Sequence, residues 1–321
     1  MIRTVFFICF LLFSLGIQAQ TDFSDKDRAL MKSLRIHTRE QWDYKYVGDR
    51  LSIKGICSSR VTFDREGRAQ EVINYKSDSA VLYITRYTYN ARGLRTDMVK
   101  YLGNKISILF RVGTVYDSKG NKLTENGYNG TENFTNRYTY DGAGRLLKIQ
   151  YYIGKRPDET RDFSYNGDKM EVRVSDGNGN LLYTLVSRKD TNGRVIEESK
   201  LDKDRKEIEH TVNNYDSRGN LVQVDKVTQN KRWSKTFYSY DNLGNVSDVY
   251  SEETENPRYL KQSYSYTNNG LLTGEFWRTT PNADQSYKKY TYDHSGKLIS
   301  TDCFYASYKY KVLNKFVYQT Y

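Results

Sequence analysis

One short pattern recurs along most of this chain and limits what the chain can fold into. Each copy is described relative to one residue, called the key position, such as Asp216. In nine of ten copies an aromatic residue directly precedes the key position, as Tyr215 does, and in nine of ten a glycine stands three residues after it, as Gly219 does. The key positions are Asp64, Asn90, Asp117, Asp141, Asn166, Asp190, Asp216, Asp241, Thr267 and Asp293. Neighbouring copies lie 24 to 27 residues apart. Such a period indicates one supersecondary unit used many times.

The residue types in the pattern predict a β-hairpin for each unit. Asp or Asn opens a turn by accepting hydrogen bonds from nearby main-chain N–H groups, and glycine adopts the positive φ that reverses the chain. The residues before the turn alternate, as in Tyr238-Ser239-Tyr240 and Tyr290-Thr291-Tyr292, which is the period of a strand with one tyrosine face and one hydroxyl face. We expect the second turn of each unit to be looser, as in Asp176-Gly177-Asn178-Gly179-Asn180.

The number of units sets the expected fold class. Two strands in each of about eleven units give roughly 22 strands. Strand twist accumulates, so an open sheet of more than about ten strands curls or splits. For residues 35–321 we therefore expect an all-β fold: an antiparallel β-hairpin repeat array that forms a long twisted, coiled sheet or an open shell. Contacts between aromatic side chains on neighbouring strands would stabilise it.

Residues 1–19 have the layout of a secretory signal peptide. Arg3 precedes an apolar run from Val5 to Ile17, and Gln18-Ala19 follows. This run is shorter than the roughly 20 residues that a membrane-spanning helix needs, so cleavage after Ala19 is favoured over a membrane anchor. We expect an exported protein, periplasmic, on the outer surface or secreted, with no transmembrane span once the signal peptide is removed.

Residues 20–34 are expected to hold the one helix of the fold. Ser24 and Asp27 have the spacing of a capping box, and Leu30 and Leu34 share a face, so we place the helix from about Ser24 to Leu34. Its expected role is to cover the first edge of the sheet, because a repeat array needs a cap that blocks edge pairing.

The composition excludes several classes of protein. The chain has 28% charged and 37% hydrophobic residues, which argues against a polytopic membrane protein, and its 14% aromatic residues argue against disorder. A net charge of +11 raises the possibility of a polyanionic partner. Export counts against nucleic acid, however, and the basic residues are spread along the chain, which is typical of a general solvated surface.

The repeat resembles that of the YD-repeat proteins, also called RHS-repeat proteins. The copies from Tyr215 to Leu221 and from Tyr238 to Val246 carry the resemblance best, and it extends over nearly all of the chain after residue 19. It implies a hairpin array on a cell surface or in an envelope, in a family known for carbohydrate binding and for shells that enclose a toxin. The chain has no Asp-Pro dipeptide. We therefore expect a short stand-alone secreted member without a toxin domain.

The search for catalytic chemistry finds no nucleophile, base and orienting group beyond what the repeat explains. His294 stands between Asp293 and Ser295, but these residues occupy a repeated turn. The segment from Asp176 resembles the start of a calcium loop but has Leu181 where that loop requires glycine. We expect no enzyme activity, no cofactor and no metal site.

The tryptophans Trp233 and Trp277 fall outside the repeated tyrosine positions, so the repeat explains them least. Tryptophan stacks on sugar rings because it offers a large apolar face with a polar edge. The weak candidate binding residues are Trp233, Trp277, Lys231, Arg232 and Lys235. We expect binding of a glycan or another cell-surface component. The alternatives are a protein-interaction or structural scaffold without a small ligand and, less favoured, an enzyme that processes envelope polymers.

Overall fold

The computed structural model describes residues 24–103 and 107–321. The predicted signal peptide lies outside these residues. Within them, the helix α1 spans Asp25–Ser33, and a single 3-10 turn spans Ala306–Tyr308. The strands are β1 (Ile36–Val47), β2 (Arg50–Leu51), β3 (Ile56–Phe63), β4 (Ala69–Tyr75), β5 (Val81–Tyr89), β6 (Arg95–Leu102), β7 (Ile108–Tyr116), β8 (Lys122–Tyr128), β9 (Asn133–Tyr140), β10 (Leu146–Ile153), β11 (Arg156–Asn166), β12 (Lys169–Asp176), β13 (Leu181–Lys189), β14 (Val195–Asp202), β15 (Glu207–Tyr215), β16 (Leu221–Thr228), β17 (Trp233–Tyr240), β18 (Val246–Glu253), β19 (Asn256–Tyr266), β20 (Leu272–Trp277), β21 (Ser286–Tyr292), β22 (Leu298–Tyr305) and β23 (Tyr310–Thr320).

The strands close into a barrel. From β3 onward each strand pairs antiparallel with the next, and β1 pairs with β3 on one side and with β23 on the other. The β1–β23 pairing runs from Ile36 opposite Thr320 to Lys45 opposite Val312. The short β2 pairs with the end of β1 and lies outside this ring of 22 strands. The expectation of an open coiled sheet or shell is therefore wrong. Closure pairs the hydrogen-bonding groups of both edges, which an open array leaves free.

The barrel is too wide for the side chains of its wall to fill its interior. A ring of 22 tilted strands about 4.8 Å apart has a diameter on the order of 40 Å, well beyond the reach of side chains from opposite walls. Many side chains are accordingly half-buried, and the fully buried ones, such as Val174 and Ile84, are shielded within the sheet by their neighbours. The fold is all-β as predicted, with stabilisation spread around the wall.

The repeated turns lie at one end of the barrel, called here the tight-turn end. At Asp216, one carboxylate oxygen accepts hydrogen bonds from the main-chain N–H groups of Arg218 and Asn220, at 2.9 and 2.8 Å. Gly219 has a φ of +88°, which explains the glycine of the pattern. The copy at Asn166 departs because Asn166 pairs directly with Lys169 across a two-residue loop.

The opposite end, called the second-turn end, contains some of the same turns. The segment from Asp176, expected to be loose, forms the repeated turn: Asp176 accepts from the N–H groups of Asn178 and Asn180 at 2.9 and 2.8 Å. Asp202 opens another, in which Arg205 takes the left-handed position with a φ of +61°. For these two turns the expectation is wrong: the turn at Asp176 has Gly179 in the left-handed position, and the turn at Asp202 accepts Arg205 there.

In most units, though not at Tyr140, the tyrosine near the end of the first strand of the unit has a specific hydrogen-bond partner. Its hydroxyl donates to the main-chain carbonyl of the first residue of the preceding strand, which lies in the previous unit. The pairs are Tyr89 with Ala69, Tyr116 with Arg95, Tyr165 with Leu146, Tyr215 with Val195, Tyr240 with Leu221, Tyr266 with Val246, Tyr292 with Leu272 and Tyr318 with Leu298, at 2.7 to 2.9 Å. These bonds link successive units and explain why the pattern uses tyrosine where phenylalanine would fill the same space.

The predicted helix is present, with a different role from the expected one. Ser24 caps α1, and the reciprocal capping box with Asp27 is formed. Met31 packs into a cluster with Ile36, Val61 and Phe63 at the tight-turn end. Because β1 is paired on both sides, there is no sheet edge for α1 to cover. The helix instead buries apolar side chains beside the β1–β3 pairing.

Candidate functional site

The sheet has two faces that differ in exposure. The tyrosine face carries the two tyrosines of each Tyr-x-Tyr run and the residues in register with them, and the hydroxyl face carries the intervening residue and its partners. Tyr138 and Tyr238 are half-buried, whereas Thr139 and Ser239 are exposed. The alternation predicted from the sequence is thus present in the barrel.

Charged residues lie in mid-strand on both faces. On the hydroxyl face, Arg86 Nε lies 2.7 Å from a carboxylate oxygen of Glu71 directly across from it. On the tyrosine face, Arg161 Nε lies 2.6 Å from a carboxylate oxygen of Glu159. Both faces therefore carry groups that favour contact with water over contact with hydrocarbon.

A cavity of about 290 Å³, called the end cavity, lies at the second-turn end between the β16–β17 and β18–β19 hairpins. The residues that line it include Lys226, Thr228, Arg232, Trp233, Glu253 and Asn256. It therefore combines a hydroxyl, an amide and charges of both signs, and it is bordered by Trp233, whose pairing with Val227 puts its side chain on the opposite face from Lys226.

Main-chain hydrogen bonds fix one wall of the end cavity. The N–H of Trp233 donates to Thr254 Oγ1 at 2.8 Å, and the N–H of Thr254 donates to the carbonyl of Trp233 at 3.1 Å. By contrast, the Arg232 and Glu255 side chains are 76% and 79% exposed and approach only to 4.0 Å. The cavity thus has a hydrogen-bonded wall and solvent-exposed charged groups at its rim, whose ion pair contributes little to stability.

The structure brings together some of the residues singled out in the sequence. Arg232 and Trp233 line the end cavity. Lys231 occupies the left-handed position of the adjoining turn, with a φ of +57°. Lys235 lies two residues after Trp233 on the same face, with its Nζ 6.0 Å from the ring centroid. These four residues form one neighbourhood at the end of the barrel.

Trp277 lies apart from that neighbourhood. It pairs with Gln262 and Ser286 on the tyrosine face, and its ring is 6.0 Å from that of Tyr305. Trp233 pairs with Val227, which places Trp233 on the hydroxyl face. The two tryptophans therefore do not form one binding surface. The parity of Trp233 relative to Tyr238, five residues later, is the sequence signal that separates Trp233 from the tyrosine face.

A serine, a histidine and two carboxylates meet on the hydroxyl face, which the sequence did not reveal. Ser199 Oγ lies 3.0 Å from His210 Nδ1, and Glu197 lies 3.6 Å from the other ring nitrogen. The Ser199 hydroxyl, however, donates its proton to Glu207 at 2.6 Å. A serine activated as a nucleophile would donate to the imidazole instead. The cluster is therefore a set of cross-strand polar contacts.

Other reactive groups are also accounted for by the fold. Cys57 and Cys303 are free thiols, and burial raises the pKa of each, which reduces the fraction of nucleophilic thiolate at neutral pH. In the turn next to His294, the Ser295 hydroxyl donates to Asp293 at 2.7 Å. Among the described residues, no group of three or more His, Cys, Asp or Glu side chains could hold a metal ion.

Over residues 24–103 and 107–321, no helix is long and apolar enough to cross a membrane.

Comparison with known proteins finds similarity only among solved structures. No family model matches the chain, and no curated protein matches it. A porin-like protein from Bacteroides uniformis is 8% identical with a TM-score of 0.33, over 89% of this chain and 97% of that one. A porin-like protein from Bacteroides vulgatus is 13% identical with a TM-score of 0.26, over 58% of this chain and 95% of that one.

A third similar structure is TcdB2-TccC3 without its hypervariable C-terminal region. It is 12% identical with a TM-score of 0.28, and the match covers 86% of this chain but only 20% of that one. The assignment to the YD-repeat family is wrong, because no family model matches and the hairpins close into a ring of 22 strands. The hairpin units are real, but they build a closed barrel.

Proposed function

We propose that this chain is an exported protein of the cell envelope that binds a glycan, with a sugar unit in the end cavity. The observation that carries the proposal is the lining of that cavity, which holds the hydroxyl of Thr228, the amide of Asn256 and charged groups of both signs, with Trp233 at its border. A sugar ring has an apolar face and a rim of hydroxyls, so it can use an aromatic side chain together with hydrogen-bond donors and acceptors.

The signal-peptide layout of residues 1–19 supports export, and export supports a place in the envelope or outside the cell. A glycan of the envelope or of the surroundings is the polymer that such a protein meets there. Ionic attraction alone would be a weak basis for recognition, because the charges at the rim of the end cavity, such as Arg232 and Glu255, balance each other.

The charges on both faces support a barrel that stands in water. A barrel in lipid needs an outward apolar band, and an Arg or Lys there costs roughly 2–4 kcal/mol at the midplane. Arg86 on one face and Arg161 on the other lie in the middle of their strands rather than at the ends. Each face therefore has a charged side chain in mid-strand, where lipid favours apolar ones.

A channel is the second candidate function. An even number of antiparallel strands in one closed ring favours it, as does the position of the start of β1 and the end of β23 at the same end of the barrel. Flotation with liposomes and conductance across a planar bilayer test this candidate. Insertion and ion conductance would favour the channel, whereas recovery of the folded barrel from the aqueous fraction would favour the proposal.

Glycan binding is tested with the protein from Gln20 onward and a panel of neutral and anionic glycans at low and high salt. We expect binding that survives salt and falls at least tenfold in Trp233→Ala. Trp277→Ala is the matched control, because it removes the same side chain from the other face, away from the end cavity. Equal losses in both variants, or binding that salt abolishes, would contradict the proposal. Absence of binding to every glycan would favour the scaffold alternative.

A further inference from the structure

A second depression, called the side groove, crosses five strands on the hydroxyl face. Its volume is about 710 Å³, and it lies far along the chain from the end cavity. The pairing registers align one residue from each of β5 to β9 along its floor. In spatial order these are Thr88, Asp97, Gly113, Asn126 and Thr135. This set is called the polar row.

The polar row supplies hydrogen-bonding groups on both sides of a gap. Gly113 stands at its centre with no side chain, between the carboxylate of Asp97 and the amide of Asn126. Thr135 Oγ1 donates to Asn126 Oδ1 at 2.9 Å, so the amide nitrogen of Asn126 keeps its two donors available. Successive members lie about 4.8 Å apart, so the row spans roughly 20 Å.

Further side chains border the floor. Arg111 and Val115 lie two residues to either side of Gly113 on β7, and Tyr128 lies on the neighbouring strand. Arg111 Nε is 3.4 Å from Asp97 Oδ1, a long contact, and the Arg111 side chain is 57% exposed. Its other guanidinium N–H groups are therefore able to donate to a bound molecule. Val115 is 53% exposed and adds an apolar surface.

The geometry points to the side groove as a binding site for a neutral oligosaccharide that lies across the strands. A carboxylate, an amide and a guanidinium in one trough can bind the neighbouring hydroxyls of sugar rings, and Val115 and Tyr128 can contact their apolar faces. An extended peptide is a poorer match. It is recognised mainly by main-chain hydrogen bonds at a free sheet edge, and the main-chain groups of β5 to β9 are already paired within the barrel.

Gly113 provides a direct test, because its position accepts a side chain. A Cβ at Gly113 would lie 3.6 Å from Asp97 Oδ1, an ordinary contact, and Gly113 does not have a positive φ. Gly113→Tyr would therefore fill the groove and leave the fold intact. Ser164→Tyr is the matched control, since it adds the same side chain at an exposed hydroxyl-face position on β11, outside the groove.

The probes are hexasaccharides of glucose, of mannose and of N-acetylglucosamine, with binding measured by calorimetry. We expect the unmodified protein to bind at least one of them, Gly113→Tyr to weaken that binding at least tenfold, and Ser164→Tyr to leave it unchanged. Asp97→Asn, which keeps the shape and removes the charge, should weaken it by a smaller factor.

This inference and the proposed function can fail separately. A hexasaccharide that binds Gly113→Tyr as tightly as the unmodified protein would overturn the side groove, as would no binding to any of the three. If Trp233→Ala lowers the affinity and Gly113→Tyr does not, only the proposed binding in the end cavity is supported. If Gly113→Tyr lowers the affinity and Trp233→Ala does not, binding in the side groove is supported and binding in the end cavity is contradicted.

Discussion

The hydroxyl of Tyr321 donates a hydrogen bond to the main-chain carbonyl of Phe63. Tyr321 follows β23 and Phe63 ends β3, so this bond spans β1 and ties the last residue of the chain to the first repeated turn. The main-chain N–H of Tyr321 also donates to the carbonyl of Arg35, at 3.1 Å. The tyrosine-to-carbonyl bonds that link successive units thus have a counterpart where the ring closes.

The links between units can be tested with one pair of substitutions. Tyr240→Phe removes the donor to the Leu221 carbonyl, and we expect it to lower the free energy of unfolding by about 1 kcal/mol. Tyr140→Phe is the control. Within the described part of the chain, the buried Tyr140 hydroxyl has no hydrogen-bond partner, so its removal should be neutral or stabilising. Urea denaturation followed by circular dichroism measures both; equal losses would contradict the role given to these bonds.

The left-handed position of the turn predicts two substitutions that change the stability of the fold in opposite directions. Gly219 has a φ of +88°, so Gly219→Ala should destabilise by about 1–2 kcal/mol. Ser79 occupies the same kind of position with a φ of +68°, so Ser79→Gly should stabilise the fold. Thermal unfolding of the two variants checks the signs. A loss of stability in Ser79→Gly would show that the cost of the conformation is offset elsewhere.

Acid should weaken the turns. The Ser295 hydroxyl and the main-chain N–H groups of Lys297 and Ser295 hold the pKa of Asp293 at about 2. The carboxylates of Asp117, Asp141 and Asp241 also have lowered pKa values.

A lowered folded-state pKa gives stability that is complete above the pKa of an unfolded Asp, about 3.9, and lost as the pH falls through the folded value. We expect the urea midpoint to fall between about pH 4 and pH 2. Asp293→Asn keeps an acceptor oxygen without the titration and should reduce that fall; an unchanged pH profile in this variant would contradict the assignment.

Alkali should break the bonds between units. Burial raises the pKa of both Tyr89 and Tyr318 to about 12, and each hydroxyl donates to a main-chain carbonyl. A raised folded-state pKa gives stability that is complete below the unfolded value, about 10, and lost as the pH rises through the folded value. Tyrosinate absorbance and circular dichroism should therefore change together between these limits. Ionisation of most tyrosines before any loss of structure would argue against the role of these donors.

Local features of the fold were predictable because each depends on a few adjacent residues. The alternation in Tyr238-Ser239-Tyr240 predicts a strand with two unlike faces, and the spacing of Ser24 and Asp27 predicts the helix cap. The turn at Asp202 escaped prediction because Arg205 stands where most copies have glycine.

Closure and the binding depressions could not be predicted in this way. Nothing in the residues of β1 or β23 distinguishes an edge strand from a paired one, since curvature accumulated over all the units decides whether the two meet. The members of the polar row come from five strands between Thr88 and Thr135, and only the pairing registers align them. The end cavity likewise draws on two hairpins.

The pairing of β1 with β23 also sets the order in which the barrel can form. Every other pairing in the ring joins strands that are close in sequence, whereas this one joins Ile36 to Thr320. The hairpins can therefore form from contacts that are local in sequence. Ring closure requires the two ends of a long chain to meet, which is a contact of very high sequence separation and forms last. Until then both end strands expose unpaired edges, so the last step of folding is also the one most open to pairing with a second copy of the chain.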